Sequence, residues 1–339
     1  VEREREIQAF KPEEYWNLTA ELQDQPKKHS PFKALLEKKG TKKYKPASAE
    51  ETEKVLKELE KGEYIVSKVK KAIAKSHAPA PFTTSSMQQD ASNKLGFSSP
   101  ETMSLAQHLY EGIETENGDH IAFITYMRTD SVRISAEAQQ SALARIREVY
   151  GDEYAPEKPN FYATKKGAQD AHEAVRPIDL SMTPEKAKKL LDRKHFALYK
   201  LIYERFLASQ MAEAKYNSTQ MEIDNSGYIF KASGRVLLFA GYTKIYQEAA
   251  PRKEDEDEPS SSKLLPDLKE GDTLDLVSMN KEQKFTKPPL RYTDASLVKA
   301  MEEKGIGRPS TYATIISKLN QKYLKKDGKY MLPAPVAYD

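Results

Sequence analysis

Apolar positions follow two different periods along this chain, and the change of period outlines its organisation. Pro46 to Gly62 is helical: Val55, Leu56 and Leu59 make the stripe, Ser48 with Glu51 forms a capping box, and Gly62 supplies the stop. Ser99-Pro100-Glu101 opens a second helix, with Met103, Leu105, Ala106, Leu109 and Tyr110 inward and Gly112 at its end. Ser135 caps a third, whose stripe is Ala142, Leu143, Ile146 and Val149 and whose stop is Gly151. Thr183-Pro184 starts a fourth. Phe196 to Ala214 then reads as a longer helix with Leu198, Leu201, Ile202, Phe206 and Met211 inward and Arg205 at its surface. Val1 to Phe10 is charged, helix-like and uncapped, and reads as the end of a longer helix.

Alternation takes over elsewhere. Tyr15 to Leu22 and Tyr64 to Val69 read as strands, as does the short apolar run Ile121 to Met127, ended by a turn at Thr129-Asp130-Ser131. From Lys215 the period becomes two. Met221 and Ile223 face Tyr228 and Phe230 across the hairpin turn Asn225-Ser226-Gly227, Val236, Leu238 and Ala240 continue a meander, and Thr273 to Met279 adds a strand. The chain then returns to helices, Thr293 to Lys304 and one opened by Ser310, separated by Gly305-Ile306-Gly307. A hairpin around Asp327-Gly328 follows, so the last stretch holds the ingredients of a winged helix.

At 339 residues the chain should form two or more domains. Its 31% of charged residues imply much solvated surface, and no apolar run reaches the length of a membrane span or a signal peptide, so a soluble cytoplasmic protein is expected. The absence of cysteine excludes disulfides, thiolate metal sites and cysteine nucleophiles. Net charge is only +3, so any nucleic-acid footprint has to come from local clustering. Lys68, Lys70, Lys71 and Lys75 are one such cluster, most simply a solvated face. There is no Walker loop and no GxGxxG, hence no sign of nucleotide-driven chemistry. Pro251 to Ser262 is a charged low-complexity loop; its Asp255-x-Asp257 pair has no apolar anchor to fix metal ligands.

Three clusters carry candidate chemistry. In Ile124-Thr125-Tyr126-Met127-Arg128-Thr129-Asp130-Ser131 a strand would place Tyr126 and Arg128 on one side. A tyrosine can be a covalent nucleophile, and the planar guanidinium binds phosphate and stabilises developing charge. A core tyrosine beside a surface arginine is the plain structural alternative. His172 stands among small residues with Glu173 beside it and Arg176 four positions on. As imidazolium it could bind phosphate, and as an acid or base it could move a proton. The other five histidines read as ordinary surface or helix residues. Arg308, Ser310 and Thr311 lie where a helix N-terminus can hold phosphate through backbone N–H groups and hydroxyls.

Four stretches, Pro79 to Ala91, Ile124 to Ser131, Gly167 to Asp179 and Gly305 to Tyr312, resemble in order the signatures of type IA DNA topoisomerases, and Met127 between Tyr126 and Arg128 resembles the bacterial topoisomerase I branch. The resemblance covers nearly the whole chain as an internal fragment without the family's Toprim domain. It implies a multi-domain α+β, ring-like architecture: a helical domain at 87–212 carrying the tyrosine, a β-rich arch from 21–86 and 213–283, and a winged-helix-like DNA-binding domain from 1–20 and 284–339. It implies Tyr126 as nucleophile, Arg128 and His172 as charge-stabilising groups, and Arg176, Arg308, Ser310 and Thr311 as DNA contacts. It further implies single-stranded and negatively supercoiled duplex DNA as partners, Mg²⁺ bound by the Toprim domain, no ATP, and a place at the nucleoid. A DNA-binding module without catalysis is the alternative; a tyrosine recombinase would need a dispersed set of arginines that is not found.

Overall fold

The computed structural model describes residues 1–25, 27–168, 171–249, 260–261 and 264–339; the Asp255-x-Asp257 pair lies outside them. The chain begins with α1 (Glu2–Ala9), β1 (Glu14–Asp24), β2 (Phe32–Lys39), β3 (Lys42–Lys43), α2 (Ala49–Glu60) and β4 (Tyr64–Ser76). A helical stretch follows: α3 (Thr84–Leu95), α4 (Ser99–Glu111), a small pair β5 (Ile113–Glu114) and β6 (His120–Ile121), α5 (Ala136–Tyr150), α6 (Pro184–Ala187) and α7 (Arg193–Ser209). Strands resume with β7 (Ala214–Asn225), β8 (Tyr228–Phe239), β9 (Ser260–Ser261) and β10 (Thr273–Phe285). Last come α8 (Asp294–Glu303), α9 (Tyr312–Lys322), β11 (Leu324–Asp327) and β12 (Tyr330–Pro333).

Six strands close on themselves in the order β2-β1-β10-β4-β7-β8, with β8 returning to β2 and every pair antiparallel. The ring closes narrowly between β10 and β4, which meet only at Thr273–Ile65 and Leu274–Tyr64. Alternate residues fill the interior, among them Leu18, Leu22, Phe32, Leu36, Met221, Ile223, Tyr228 and Phe230. The β7–β8 turn has φ of 55° at Ser226 and 85° at Gly227, the paired positive values that suit the twist of a hairpin. Helix α2 plugs this core with Val55 and Leu59, and its last turn is tied to the hairpin where Asn225 Nδ2 donates to the Leu59 carbonyl at 3.0 Å. The Ser48 cap is present, accepting from Glu51 N; the Glu51 carboxylate turns instead to Ala47 N and Tyr44 Oη, so only half of the expected box forms. Past Val69, β4 runs exposed, and Lys71 and Lys75 pair with Asp267 and Glu213.

A second core, built on Phe82, Met87, Phe123, Tyr199, Ile202 and Phe206, gathers α3, α4, α5 and α7. Helix α7 begins earlier than its apolar stripe suggests because Asp192 caps it, accepting from His195 N. Arg205 corrects the surface expectation. It is 9% exposed, donates from Nε to the Ala80 carbonyl at 2.6 Å and from Nη1 to Tyr246 Oη at 2.7 Å, and lies over the Phe82 ring.

The third core is small: Val298, Met301, Tyr312, Ile316 and Met331, from α8, α9 and the β11–β12 hairpin. Helix α1 docks beside it by a two-pronged ion pair, Arg291 Nε and Nη2 to the Glu4 carboxylate at 2.9 and 2.8 Å. That bond holds the buried Glu4 carboxyl below the usual carboxylate range. Its contribution to stability is therefore complete above the unfolded value of about 4.3 and is lost as pH falls through the lower folded value. Hydrogen-exchange protection of α1 should drop on moving from about pH 6 to about pH 3, whereas Glu4→Gln should be weakly protected at both. Equal protection of the wild type at both pH values would show that α1 is held by something else.

Candidate active site

The expected strand over Ile121 to Met127 does not form. Phe123, Ile124 and Met127 are all buried, a spacing that breaks the period of two, and the backbone spends its polar groups on several neighbours instead of one ladder. Phe123 N donates to Leu109 O at the end of α4, and Thr125 N to Arg176 O; Ile178 N donates to Phe123 O. Below the tyrosine, Thr84 at the start of α3 takes over. Its hydroxyl donates to Met127 O at 2.6 Å and accepts from Thr129 N at 2.8 Å, and its own N–H donates to Thr129 O. Thr129 Oγ1 then accepts from Ser131 N, giving the expected turn. An extended segment pinned this way presents single side chains, not a face.

The stitching explains why Tyr126 and His172 meet. Val175 N donates to Phe82 O, Ala174 N to Arg133 O, and Thr125 Oγ1 to Ala174 O at 2.7 Å. The 174–178 stretch is thus sewn between the Phe82 segment and the Phe123–Thr125 segment, and His172 lies just before it. The Tyr126 and His172 rings are 4.9 Å apart, inclined at 43°. Tyr110 of α4 closes the other side, edge-on to Tyr126 at 5.3 Å. Tyr126 is half-buried between them and His172 is exposed. One turn earlier on α4, Gln107 Oε1 accepts from Arg128 Nη1 at 2.9 Å.

Arg176 is placed differently from Arg128. Its guanidinium turns inward, donating to Glu173 at 2.8 Å and to the Pro177 carbonyl at 3.0 Å, while Glu173 also accepts from Ser135 N at the start of α5. It braces the His172 segment. Arg308, Ser310 and Thr311 are exposed at the start of α9. The helix opens at Tyr312, two residues later than Ser310 suggests, because Thr311 Oγ1 accepts from Arg308 N at 2.8 Å and folds the preceding residues into a turn. The two regions approach each other around Tyr312, whose phenol burial pushes above its ordinary range, with Glu302 adding to the shift and Arg308 and Asp130 also within electrostatic reach. Glu302 bridges from α8, accepting from Ser85 Oγ at 2.5 Å and from Lys165 Nζ at 2.9 Å. Sequence reasoning missed Gln107 and Glu302, which read as ordinary polar helix positions, counted Tyr110 with the buried stripe of its helix, and named Tyr312 only as the end of the Gly305 to Tyr312 stretch. Among the described residues no group of three or more histidine, cysteine, aspartate or glutamate side chains is placed to hold a metal ion.

The residues 1–339 match a family described as DNA topoisomerase. The DNA topoisomerase 1 of Vibrio cholerae is 43% identical over 330 residues, 97% of this chain and 35% of the relative. That of Helicobacter pylori is 44% identical over 333 residues, covering 97% of this chain and 43% of the relative. The chain spans between about a third and a half of the curated relatives it matches. The solved structure of full-length topoisomerase I from Thermotoga maritima matches 99% of this chain and 52% of its own, with a TM-score of 0.80 at 40% identity. A multi-domain α+β fold shared at that level, and a family match running from end to end, place this chain in the bacterial type IA DNA topoisomerase family.

Proposed function

We propose that the chain carries the nucleophile of a reversible DNA strand transfer, and that Tyr126 is that nucleophile. The observation that supports it most is the setting of the phenol, half-exposed between Tyr110 and the exposed imidazole of His172, with Arg128 bonded to Gln107 of the helix that carries Tyr110. Tyr126 Oη forms a bond to a backbone phosphorus of single-stranded DNA while the bond from phosphorus to the 3′ oxygen breaks. The phenol loses its proton and the 3′ oxygen gains one. The product is a 5′-phosphotyrosine and a free 3′-hydroxyl, and the phosphoester keeps the energy for resealing, so no ATP is consumed. Passage of the other strand through the gap relaxes negative supercoils. Arg128 and His172 stabilise the charge that develops on the phosphate and the phenol oxygen. Arg308, Ser310 and Thr311 hold the DNA backbone at the start of α9. Magnesium belongs, on this reading, to carboxylates of a Toprim domain, and no step here depends on groups of this chain holding it. The nucleoid is the corresponding location.

The test is covalent trapping. The enzyme carrying this chain at its natural full length is mixed with an end-labelled single-stranded oligonucleotide and quenched in denaturant, and the adducted peptide is mapped by mass spectrometry. DNA on the peptide containing Tyr126 supports the proposal. Oligonucleotide binding without any adduct would favour a binding module working through the exposed α9 terminus instead.

Arg128→Lys should slow adduct formation by about 10²–10³-fold, because an ammonium replaces a planar fork at the charge that develops. Oligonucleotide affinity should change by less than about threefold. Equal losses in affinity and rate would make Arg128 a general anchor.

A further inference from the structure

We infer that Gln107 is a positioning residue that aims the Arg128 guanidinium while leaving its charge free for phosphate; the inference rests on the proposed role of Arg128. A guanidinium has five N–H donors, and a phosphate takes them in pairs along one edge. Among the described residues Arg128 makes one hydrogen bond, from Nη1 to Gln107 Oε1 at 2.9 Å. The rest of the fork is left to a ligand, and the long side chain is restrained at one corner.

The amide itself is fixed from behind. Gln107 Nε2 donates to Glu111 Oε1 at 2.5 Å, one helical turn along α4. A carboxylate can only accept, so it selects the amide orientation that turns Oε1 toward Arg128. The chemistry of the link matters as much as its geometry. A glutamate at position 107 would hold Arg128 more strongly and cancel its charge beside the nucleophile. A neutral amide restrains the group without that cost. The same helix also places Tyr110 edge-on to Tyr126, so α4 supports both reactive side chains from positions three residues apart, which share a helix face.

The measurement is the rate of adduct formation at saturating oligonucleotide, with affinity determined separately, in the full-length enzyme. Gln107→Met keeps the length and helix propensity of the side chain and removes the acceptor. It should lower the rate by about 10-fold with affinity unchanged within about twofold, the signature of a misaimed group. Gln107→Glu keeps an acceptor in the same place and adds a charge. It should slow the reaction at least as much, and Arg128→Lys should then cost less in its presence than in the wild type. If Gln107 merely held α4 in place, the glutamate variant would match the wild type, and that result overturns the inference. So does a methionine variant with the wild-type rate. Failure of the wild type itself to form an adduct on Tyr126 would instead overturn the proposed function, taking this inference with it.

Discussion

Replacing Tyr126 with phenylalanine is expected to remove covalent attachment to DNA while leaving the fold and DNA binding intact. The substitution deletes one oxygen. The ring keeps its edge contact with Tyr110 at 5.3 Å and its contact with His172 at 4.9 Å. No described residue hydrogen-bonds to the Tyr126 hydroxyl, so its loss strands no buried partner, and the stability change should stay within about 0.5 kcal/mol. The chemistry has no such tolerance. Without the phenolic oxygen there is nothing to form the phosphoester, and the trapped adduct should fall by at least about 10⁴-fold, to the detection limit. Denaturing electrophoresis of labelled oligonucleotide reads the adduct, and a filter-binding titration reads affinity. Adduct surviving in Tyr126→Phe would move the nucleophile to another side chain, with neighbouring Tyr110 the first to examine.

How far the sequence could be read depended on whether the information was local. The β7–β8 hairpin was legible because alternation and turn chemistry sit within a few residues, as Met221, Ile223, Asn225, Gly227 and Phe230 illustrate. The closing contact of the barrel was not: it pairs Leu35 with Lys231, and nothing in either neighbourhood announces the other. The Ile121 to Met127 run carried a strand-like composition without a strand partner, and hydrogen bonds to α3, α4 and the 174–178 segment decided its shape. In the site, Tyr126, Arg128 and His172 stood out as chemistry. Tyr110 did not, because periodicity counts it with the buried stripe of α4, whereas it is 40% exposed and faces Tyr126. A pattern of apolar positions tells which side of a helix is covered; it cannot tell which side chain at the margin meets a loop arriving from elsewhere.

Arg205→Met is expected to destabilise the helical core strongly. A charge on a helix is ordinarily solvated, yet Arg205 is 9% exposed and its donors serve groups far away in sequence: the Ala80 carbonyl at 2.6 Å and Tyr246 Oη at 2.7 Å. Tyr246 passes the interaction on by donating to Asp90, whose carboxylate also accepts from Lys94 Nζ at 3.2 Å. Burial pushes the Tyr246 phenol up, so it remains a donor and needs the arginine as its own donor in return. Methionine fills similar volume and leaves both acceptors dry. Losing two buried hydrogen bonds from a charged donor should cost about 3–5 kcal/mol, which lowers the melting temperature by roughly 6–20 °C at about 2–4 °C per kcal/mol. Arg205→Lys can keep a charge and one of the two contacts, and should fall between. The effect should also reach the site, since Ala80 leads into Phe82, Phe82 pairs with Val175, and the Val175 segment carries His172. Exchange protection at Val175 N should therefore decrease in Arg205→Met along with the melting temperature. A variant melting within about 1 °C of the wild type would show that the network is solvated and that the Phe82 segment is held by packing alone.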